Sequence, residues 1–254
     1  MAHTIFGDRV TFYNIAHRGY SSVAPENTIA AFEKAIGAGA NMLELDVMLT
    51  GDGQLIVFHD YRLGRTTNGT GVVSKLTSDH IRSLDAGSWF AQEFRSEHVP
   101  SLDDVLELAK GKVKLDIELK QRRHDATSIL VGKSIKAVER HRMSDEVVFS
   151  SFNLEALRIL HHVSPGLRLA PLYRHNIKPT RRSFALRYGA QAVVLNHLLL
   201  NRITVKKFHD SGIAVLVYTV NAPWRMEKLI QMKVDGIISD DPAALNAVRG
   251  EIPG

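Results

Sequence analysis

Residues 214–239 read AVLVYTVNAPWRMEKLIQMKVDGIIS. Each end of this stretch is a short apolar run of the length of a buried strand, and residues 222–233 between them have a helical period. A strand, a helix and a second strand in this order form a βαβ unit, in which the two strands lie parallel. The stretch therefore predicts a parallel sheet covered by helices.

The same alternation continues along the chain. Near-continuous apolar strands that alternate with helices indicate a parallel sheet covered on its outer face. Eight such units in 254 residues predict an α/β protein with a (β/α)8 TIM-type barrel. An open doubly wound sheet is the alternative, and the lack of a GxGxxG or P-loop motif in the sequence disfavours it. The predicted strands are residues 12–17, 41–49, 113–120, 146–152, 168–173, 192–197, 214–220 and 235–239.

Composition limits the class of protein. A hydrophobic content of 44% and a charged content of 23% over 254 residues are ordinary for one globular domain, so we expect a single domain over residues 1–254. The absence of cysteine from the sequence excludes disulfides, thiolate zinc sites and a cysteine nucleophile. The sequence has no apolar signal core and no run of 18 apolar residues, so we expect a cytoplasmic protein without stable membrane insertion.

The chain has a formal net charge of +5 and a pI near 9.4. Such a charge suits an anionic substrate or a nucleic acid, and it is also typical of a mildly basic solvated surface. We expect a small-molecule substrate as the partner and no nucleic acid.

Residues 48–60, MLTGDGQLIVFHD, interrupt the alternation because they leave no room for a helix. An Asp-Gly pair between two apolar runs predicts a β-hairpin. With a two-residue turn, Asp46 faces His59, and with a four-residue turn Glu44 faces His59. Both registers place His59 beside the two carboxylates.

After this hairpin, residues 60–110 show no clear barrel strand. They contain the turn-rich sequence TTNGTG and two short helical patterns, and they end in the predicted helix 101–110. We interpret this segment as a small insertion in the barrel.

Polar side chains interrupt two of the predicted barrel strands. Glu44 and Asp46 share one face of their strand, and Asp116, Glu118 and Lys120 share one face of the next. Because successive residues of a barrel strand point alternately to the interior and to the helices, both sets are predicted to face the interior. An unpaired buried carboxylate is costly, so this interior needs cations.

Three kinds of cation are available to these carboxylates. Lys120 and Arg18 are the basic candidates, and a metal ion is the third. The excess of carboxylates, with His17 and His59 nearby, favours a hard divalent ion, and oxygen ligands indicate Mg²⁺ or Ca²⁺ rather than zinc. An internal network of salt bridges without metal is the alternative.

Two of the twelve histidines stand out by position. His17 and His59 each close a predicted strand, at the end of the barrel where active sites lie. Beside inward-facing carboxylates they have the properties of an acid–base pair, since imidazole titrates near neutrality. Helical histidines such as His161 are expected at the surface.

The two basic residues indicate an anionic substrate. The fork of Arg18 suits phosphate oxygens, and Lys120 supplies a point charge, so the set of residues is typical of a phosphoryl-transfer site. A Schiff-base lysine of an aldolase is an alternative role for Lys120, although it leaves the histidines and carboxylates without a function. Nearby, Gly19 is expected to turn the chain out of its strand, and Asn27 is a predicted helix N-cap.

A series of short motifs runs in order along the sequence. They include AHRG (16–19), PENT (25–28), ELDV (44–47), GDGQLIVFHD (51–60), RTTNGTG (65–71), DIELK (116–120), YTVN (218–221) and DGIISDDP (235–242). In these motifs the sequence closely resembles the glycerophosphodiester phosphodiesterase family, nearly from end to end. The resemblance implies a TIM-type barrel with a small insertion after the HD of the hairpin. One departure is Tyr218, where such enzymes usually have Trp, and it is expected to alter the pocket for the alcohol.

The resemblance also implies an activity and roles for individual residues. It implies hydrolysis of glycerophosphodiesters to sn-glycerol 3-phosphate and an alcohol. A lysophospholipase D-type activity is one alternative, but the sequence has no strongly amphipathic segment for lipid binding. A non-catalytic binding barrel is the other, and the intact residue set argues against it. The implied roles are acid–base catalysis for His17 and His59, phosphate binding for Arg18 and Lys120, and binding of Mg²⁺ or Ca²⁺ for Glu44, Asp46 and Glu118.

Overall fold

The computed structural model describes residues 4–7, 10–120, 126–174 and 179–251. The strands are β1 (Tyr13–His17), β2 (Met42–Leu49), β3 (Leu55–Val57), β4 (Lys114–Leu119), β5 (Val147–Ser151), β6 (Arg168–Tyr173), β7 (Ala192–Asn196), β8 (Ala214–Tyr218) and β9 (Gly236–Ser239). The helices are α1 (Ile29–Gly37), α2 (Ser78–Arg82), α3 (Leu102–Ala109), α4 (Thr127–His141), α5 (Leu154–Val163), α6 (Pro179–Arg187), α7 (Arg202–His209), α8 (Pro223–Gln231) and α9 (Pro242–Glu251).

Eight parallel strands close into a barrel in the order β1, β2, β4, β5, β6, β7, β8 and β9. The closing contact is the parallel pairing of β1 with both β2 and β9. The predicted (β/α)8 TIM-type fold is therefore confirmed. None of the helices in the described ranges combines the length and the apolar character that crossing a membrane requires.

The alternation of residues along β2 produces two separate cores. Leu43 and Leu45 point outward into the large apolar layer between strands and helices, whereas Met42 belongs to the smaller cluster inside the barrel. Glu44 and Asp46 have the same parity as Met42, so they face the interior above that apolar cluster. The barrel thus rises from an apolar base to a polar mouth at the carboxyl ends of its strands.

The hairpin register differs from both predicted registers. β3 runs antiparallel to β2, with Val47 opposite Val57, and the Thr50 amide donates to the Gln54 carbonyl at 3.0 Å. The loop therefore has three residues, 51–53, because Gly53 adopts a φ of +72° that suits the last position of such a loop. This register sets position 59 opposite Leu45, between the two predicted partners.

The start of α1 also differs from the prediction. Thr28 is the N-cap, since its hydroxyl oxygen accepts from the Ala31 amide at 3.3 Å. Asn27 instead has a left-handed backbone, with a φ of +58°, and its amide donates to Asp46 Oδ2 at 3.0 Å. Gly19 does turn the chain as expected, with a φ of +85° and no room for a Cβ beside Ala31.

The segment between β3 and α3 contains α2, two 3₁₀ turns and an apolar cluster of its own. It ends at Ser101, whose side chain and that of Asp104 form a capping box at the start of α3. Helix α3 then packs beside α1 and α4 in the outer layer of the barrel. The interpretation of residues 60–110 as an insertion in a single domain stays a prediction.

Candidate active site

A cavity of about 410 Å³ lies at the carboxyl ends of the barrel strands. Six of the seven predicted site residues line it, and the seventh, Asp46, lies fully buried against Arg18 and Lys120. The structure therefore brings together residues that lie up to 103 positions apart in the sequence, from His17 to Lys120. The six that line the cavity are His17, Arg18, Glu44, His59, Glu118 and Lys120.

The carboxylates form a compact cluster because of the pairing of β2 with β4. Asp46 stands beside Glu118 in this register, and Glu44 stands beside Asp116. Glu44, Asp46 and Glu118 each offer an oxygen atom, and these atoms lie within 4.8 Å of one another. Three buried carboxylate oxygens at this spacing form a donor set that fits a hard divalent ion.

The carboxyl groups of this cluster are not electrostatically equivalent. Burial, together with repulsion from Asp46, raises the pKa of Glu44 well above its usual range and that of Glu118 to about 7. Burial also raises the pKa of Asp116 to about 7. The Asp46 carboxyl is buried as well, but the charges of Lys120 and Arg18 hold its pKa far below its usual range.

Both basic residues of the site are bound to Asp46. Arg18 Nε lies 3.1 Å from Asp46 Oδ2, and Lys120 Nζ lies 3.3 Å from Asp46 Oδ1. Lys120 Nζ is also 3.4 Å from Glu118 Oε1. These ion pairs use both side-chain cations to balance the charge of Asp46. The buried carboxyl oxygens of Glu44 and Glu118 then outnumber the cations that remain near them, so the residues fit a divalent ion better than a closed salt-bridge network.

Arg18 is positioned by an unusual backbone. Its φ of +57° is left-handed, which is uncommon for a residue with a side chain. In this conformation the Arg18 amide donates to Glu44 Oε2 at 3.0 Å, while the guanidinium reaches Asp46. The turn after β1 therefore contributes a main-chain donor and a side-chain cation to the same cavity.

The two histidines have matching carboxylate partners. His17 Nδ1 lies 2.6 Å from Asp240 Oδ1, and His59 Nδ1 lies 2.6 Å from Asp60 Oδ1. A carboxylate at Nδ1 holds the proton there and leaves Nε2 as the nitrogen that can accept or donate a proton. Both imidazoles line the cavity, so two Nε2 atoms are available to one substrate.

Further polar groups hold these partners in place. Asn221 Nδ2 donates to Asp240 Oδ2 at 2.6 Å, and the Ser21 hydroxyl donates to Asp240 Oδ1 at 3.1 Å. Arg65 Nε donates to Asp60 Oδ2 at 2.6 Å. Each carboxylate therefore has its second oxygen occupied, which fixes its orientation toward the imidazole.

The Glu26 carboxylate links Arg18 and Arg65 on this side of the cavity. It accepts from Arg65 at 2.7 Å and from Arg18 Nη1 at 2.8 Å. Sequence reasoning missed Glu26, Asp60 and Asp240 as site residues, although all three lie within the motifs PENT, GDGQLIVFHD and DGIISDDP. Membership of those motifs was the available signal, and the same signal existed for Arg65, which begins the motif RTTNGTG (65–71).

The environment of His59 differs from that of an exposed histidine. Burial and the nearby charges of Arg18 and Lys120 lower the pKa of His59, although Asp46 and Asp60 oppose this effect. The neutral imidazole is therefore favoured near pH 7, and neutral imidazole is the form that can accept a proton.

Residues 17–244 match the glycerophosphoryl diester phosphodiesterase family. This match covers most of the chain and all seven predicted site residues. The chain belongs to this family.

Relatives of the same family resemble most of the chain. A glycerophosphodiester phosphodiesterase of Caldanaerobacter subterraneus is 39% identical over 92% of this chain and 97% of its own length. An Oleispira antarctica phosphodiesterase, solved in complex with the product sn-glycerol-3-phosphate, is 30% identical with a TM-score of 0.89, over 93% of this chain and 96% of its own. The glycerophosphodiester phosphodiesterase of Agrobacterium tumefaciens is 31% identical with a TM-score of 0.80, over 92% and 98% of the two chains.

In this member of the family, the other side of the cavity is built from β5, β6 and β8. Phe152 and Tyr218 meet edge to face with ring centroids 6.0 Å apart, and Leu172 also lines the wall. The Arg174 guanidinium lies 4.5 Å from the centre of the Phe152 ring. Tyr218, at the position of the departure noted in the sequence, donates its hydroxyl to the Tyr173 carbonyl at 3.2 Å.

Proposed function

We propose that this chain is a metal-dependent phosphodiesterase that hydrolyses glycerophosphodiesters to sn-glycerol 3-phosphate and an alcohol. The observation that carries the proposal is the pair of carboxylate-bound histidines beside three clustered carboxylates in one cavity. The product bound in the similar Oleispira antarctica enzyme supports the substrate class. We also propose that residues 1–254 form a single catalytic domain, with residues 60–110 as an insertion.

Glu44, Asp46 and Glu118 would hold the ion, for which we propose Mg²⁺ or Ca²⁺ because all three ligands are carboxylates. When bound, the ion would lower the pKa of a substrate hydroxyl and neutralise charge on the phosphate. Arg18 and Lys120 line the same cavity, and we assign them to the phosphate oxygens. The ion and the two side-chain cations would then stabilise the negative charge that develops on the phosphate.

His17 and His59 would transfer the protons. The Nε2 atom of one imidazole accepts a proton from the attacking oxygen, and the Nε2 atom of the other donates a proton to the departing alcohol. Asp240 and Asp60 stabilise the imidazolium that forms, because each already accepts from Nδ1 of its histidine. The next half-reaction reverses the two roles and restores the starting protonation.

The glycerol hydroxyl next to the phosphate is the nucleophile in this proposal. Its oxygen bonds to phosphorus, the bond from phosphorus to the alcohol oxygen breaks, and a cyclic 1,2-phosphate forms that water then opens. A neighbouring hydroxyl has a large effective concentration compared with free water. A substrate analogue with hydrogen in place of the glycerol 2-hydroxyl should bind comparably and turn over at least about 10²-fold more slowly. Normal turnover of this analogue would instead indicate direct attack by water.

The aldolase alternative for Lys120 is disfavoured by its surroundings. Burial alone would lower the pKa of Lys120, but the carboxylates of Asp46 and Glu118 outweigh burial and raise it. Lys120 therefore stays protonated near neutral pH, and a protonated amine cannot form a Schiff base. An ammonium ion in this position suits a phosphate ligand.

A substrate panel tests the proposed function. Purified protein would be incubated with glycerophosphocholine, glycerophosphoethanolamine and glycerophosphoglycerol, with Mg²⁺ or Ca²⁺, and released sn-glycerol 3-phosphate would be measured with a coupled dehydrogenase. We expect release from at least one of these diesters. Release of glycerol with phosphocholine or phosphoethanolamine, from the first two diesters, would contradict the proposed bond cleavage. Faster cleavage of lysophosphatidylcholine would favour the lysophospholipase D alternative.

A further inference from the structure

The positive charge of the chain is concentrated in one continuous part of the sequence. Residues 156–209 contain ten Lys and Arg residues and no Asp or Glu. The whole chain has 32 basic and 27 acidic residues, so the remainder of the sequence carries a net negative charge. Such an asymmetry favours an anionic partner. Arg158 and Arg168 of this stretch are paired with Glu155 and Asp145, so the unpaired charges at the barrel mouth matter most.

Two of the three most exposed large apolar side chains in the described ranges lie within this basic part, and the third follows it in the sequence. Leu198 is 74% exposed, Trp224 is 68% exposed and Ile203 is 67% exposed. We refer to these three residues as the apolar rim. Leu198 lies in the connection after β7, Ile203 in the first turn of α7 and Trp224 in the first turn of α8.

The topology places the apolar rim on the same end of the barrel as the active-site cavity. All three residues follow the carboxyl ends of β7 or β8, and those ends also supply Asn196 and Tyr218 to the cavity. The two connections are tied together, since Arg225 Nε donates to His197 Nδ1 at 3.1 Å. The apolar rim is therefore a surface beside the substrate entrance.

Two exposed positive charges without acidic partners in the described ranges lie on this end of the barrel, Arg202 beside Ile203 and Arg174 after β6. Arg202 is exposed and makes no ion pair in the part of the chain that the structure describes, and Arg174 stacks on Phe152 rather than on a carboxylate. Lys206 is paired with Asp210 one turn later, at the far end of α7. The end of α7 next to the cavity is thus basic and apolar at once.

We propose that this face docks the enzyme on the surface of an anionic phospholipid bilayer. Aliphatic and indole side chains that are exposed in water gain free energy by entering the interfacial region of a bilayer, and neighbouring cations are attracted to anionic headgroups. Leu198 and Ile203 have no stacking surface to offer to nucleic-acid bases, which favours lipid over nucleic acid as the polyanion. Docking in this orientation turns the mouth of the barrel toward the bilayer.

The surface is assembled from separate connections, so no single segment of the sequence is strongly amphipathic. This explains why sequence periodicity gave no lipid-binding signal: Trp224 belongs to a different βα unit from Leu198 and Ile203. The proposed docking is peripheral and involves no helix that crosses the bilayer.

Vesicle co-sedimentation tests this inference directly. The full chain would be mixed with sucrose-loaded vesicles of phosphatidylcholine alone or of phosphatidylcholine with phosphatidylglycerol, and the bound fraction measured at low and at physiological salt. We expect binding to the anionic vesicles that weakens with salt. The triple variant L198S/I203S/W224S should bind roughly tenfold more weakly, and R202E about fivefold more weakly.

Val163→Ser is the matched control, because Val163 is 60% exposed but lies at the end of α5, on the opposite end of the barrel. This variant should bind vesicles like the wild-type protein. Turnover of a soluble glycerophosphodiester without vesicles should be unchanged in the triple variant, which shows that it is folded. Absence of binding to anionic vesicles, or equal binding by the triple variant, would overturn the inference. Binding of a 20-base-pair DNA duplex that R202E weakens and the triple variant does not would also overturn it and identify a nucleic-acid surface.

Discussion

The two halves of the barrel mouth are built from different kinds of residue. Strands β1, β2 and β4 with the β3 hairpin supply the histidines, the carboxylates and both buried cations. Strands β5 to β8 and the residues that follow them supply Phe152, Leu172, Arg174 and Tyr218 to the same cavity. One half therefore contains the groups that can move protons and hold an ion, and the other half gives the cavity its shape.

This difference has an energetic reason. Buried ionisable groups are costly singly but can compensate one another, so clustering them on adjacent strands allows each carboxylate to reach a cation or a hydrogen-bond donor. Asp46, which contacts Arg18, Asn27 and Lys120, is the centre of this arrangement. Opposite this cluster, Phe152, Leu172 and Tyr218 add apolar surface to the cavity, which lowers the local dielectric and strengthens electrostatic interactions nearby. Variants in the two halves should therefore affect different kinetic constants.

The largest effects are expected from the histidines of the charged half. His17→Ala and His59→Ala should each lower kcat by about 10²–10⁴-fold, the usual contribution of a general acid or base. Both proteins should remain folded, since both side chains line the open cavity. His162→Ala is the control, because His162 is exposed near the end of α5 and should leave kcat unchanged. Normal turnover of either active-site variant would remove that histidine from the mechanism.

Smaller losses are expected from the carboxylates behind the histidines. Asp60→Asn and Asp240→Asn keep the shape of the side chain but remove the charge that holds the Nδ1 proton. Loss of such an outer partner should lower kcat by about 10–100-fold with little change in KM. The pH profile of kcat, measured beside the folded fraction by circular dichroism, would separate this result from a purely structural effect, in which kcat falls only in proportion to the fraction of folded protein and the pH profile keeps its shape.

The smallest effects are expected from the half of the mouth that β5 to β8 supply. Tyr218→Ala removes an aromatic contact with Phe152 and should raise KM about fivefold while leaving kcat within a factor of about two. The size of the effect should depend on the alcohol of the diester. Measurements with glycerophosphocholine and glycerophosphoglycerol would show this dependence. A loss in kcat as large as that of the histidine variants would contradict the division of the mouth into two halves.

The sequence allowed the charged half to be predicted because its signals are local. The alternation of Glu44 and Asp46 with apolar neighbours is visible within one strand, and the strand order of a closed barrel then brings β4 beside β2. The partner of His17 was out of reach of such reasoning, since Asp240 lies 223 residues away and meets it only when β9 closes the barrel. Local patterns predict which face of a strand a side chain occupies, whereas a contact between distant segments can be predicted only when the order of the strands is known.

Two predictions failed at positions where the backbone is left-handed. The hairpin register depends on Gly53, whose positive φ lengthens the loop by one residue relative to the tight Asp-Gly turn. Asn27 was expected to cap α1, but asparagine also tolerates a left-handed backbone, and this second property is the one that operates. There it directs its amide toward Asp46 and leaves the capping role to Thr28. Composition alone does not distinguish these two uses of a small polar residue.

The account depends most on the claim that the carboxylate cluster of Glu44, Asp46 and Glu118 operates with a divalent ion. The direct measurement is turnover of a glycerophosphodiester by protein that has been exhaustively chelated with EDTA and then titrated with Mg²⁺ or Ca²⁺. The account predicts that chelation lowers turnover by at least about 10²-fold and that one of the two ions restores it in a saturable manner. Full activity in the chelated protein would contradict the account and would mean that the ion pairs of Asp46 with Arg18 and Lys120 suffice.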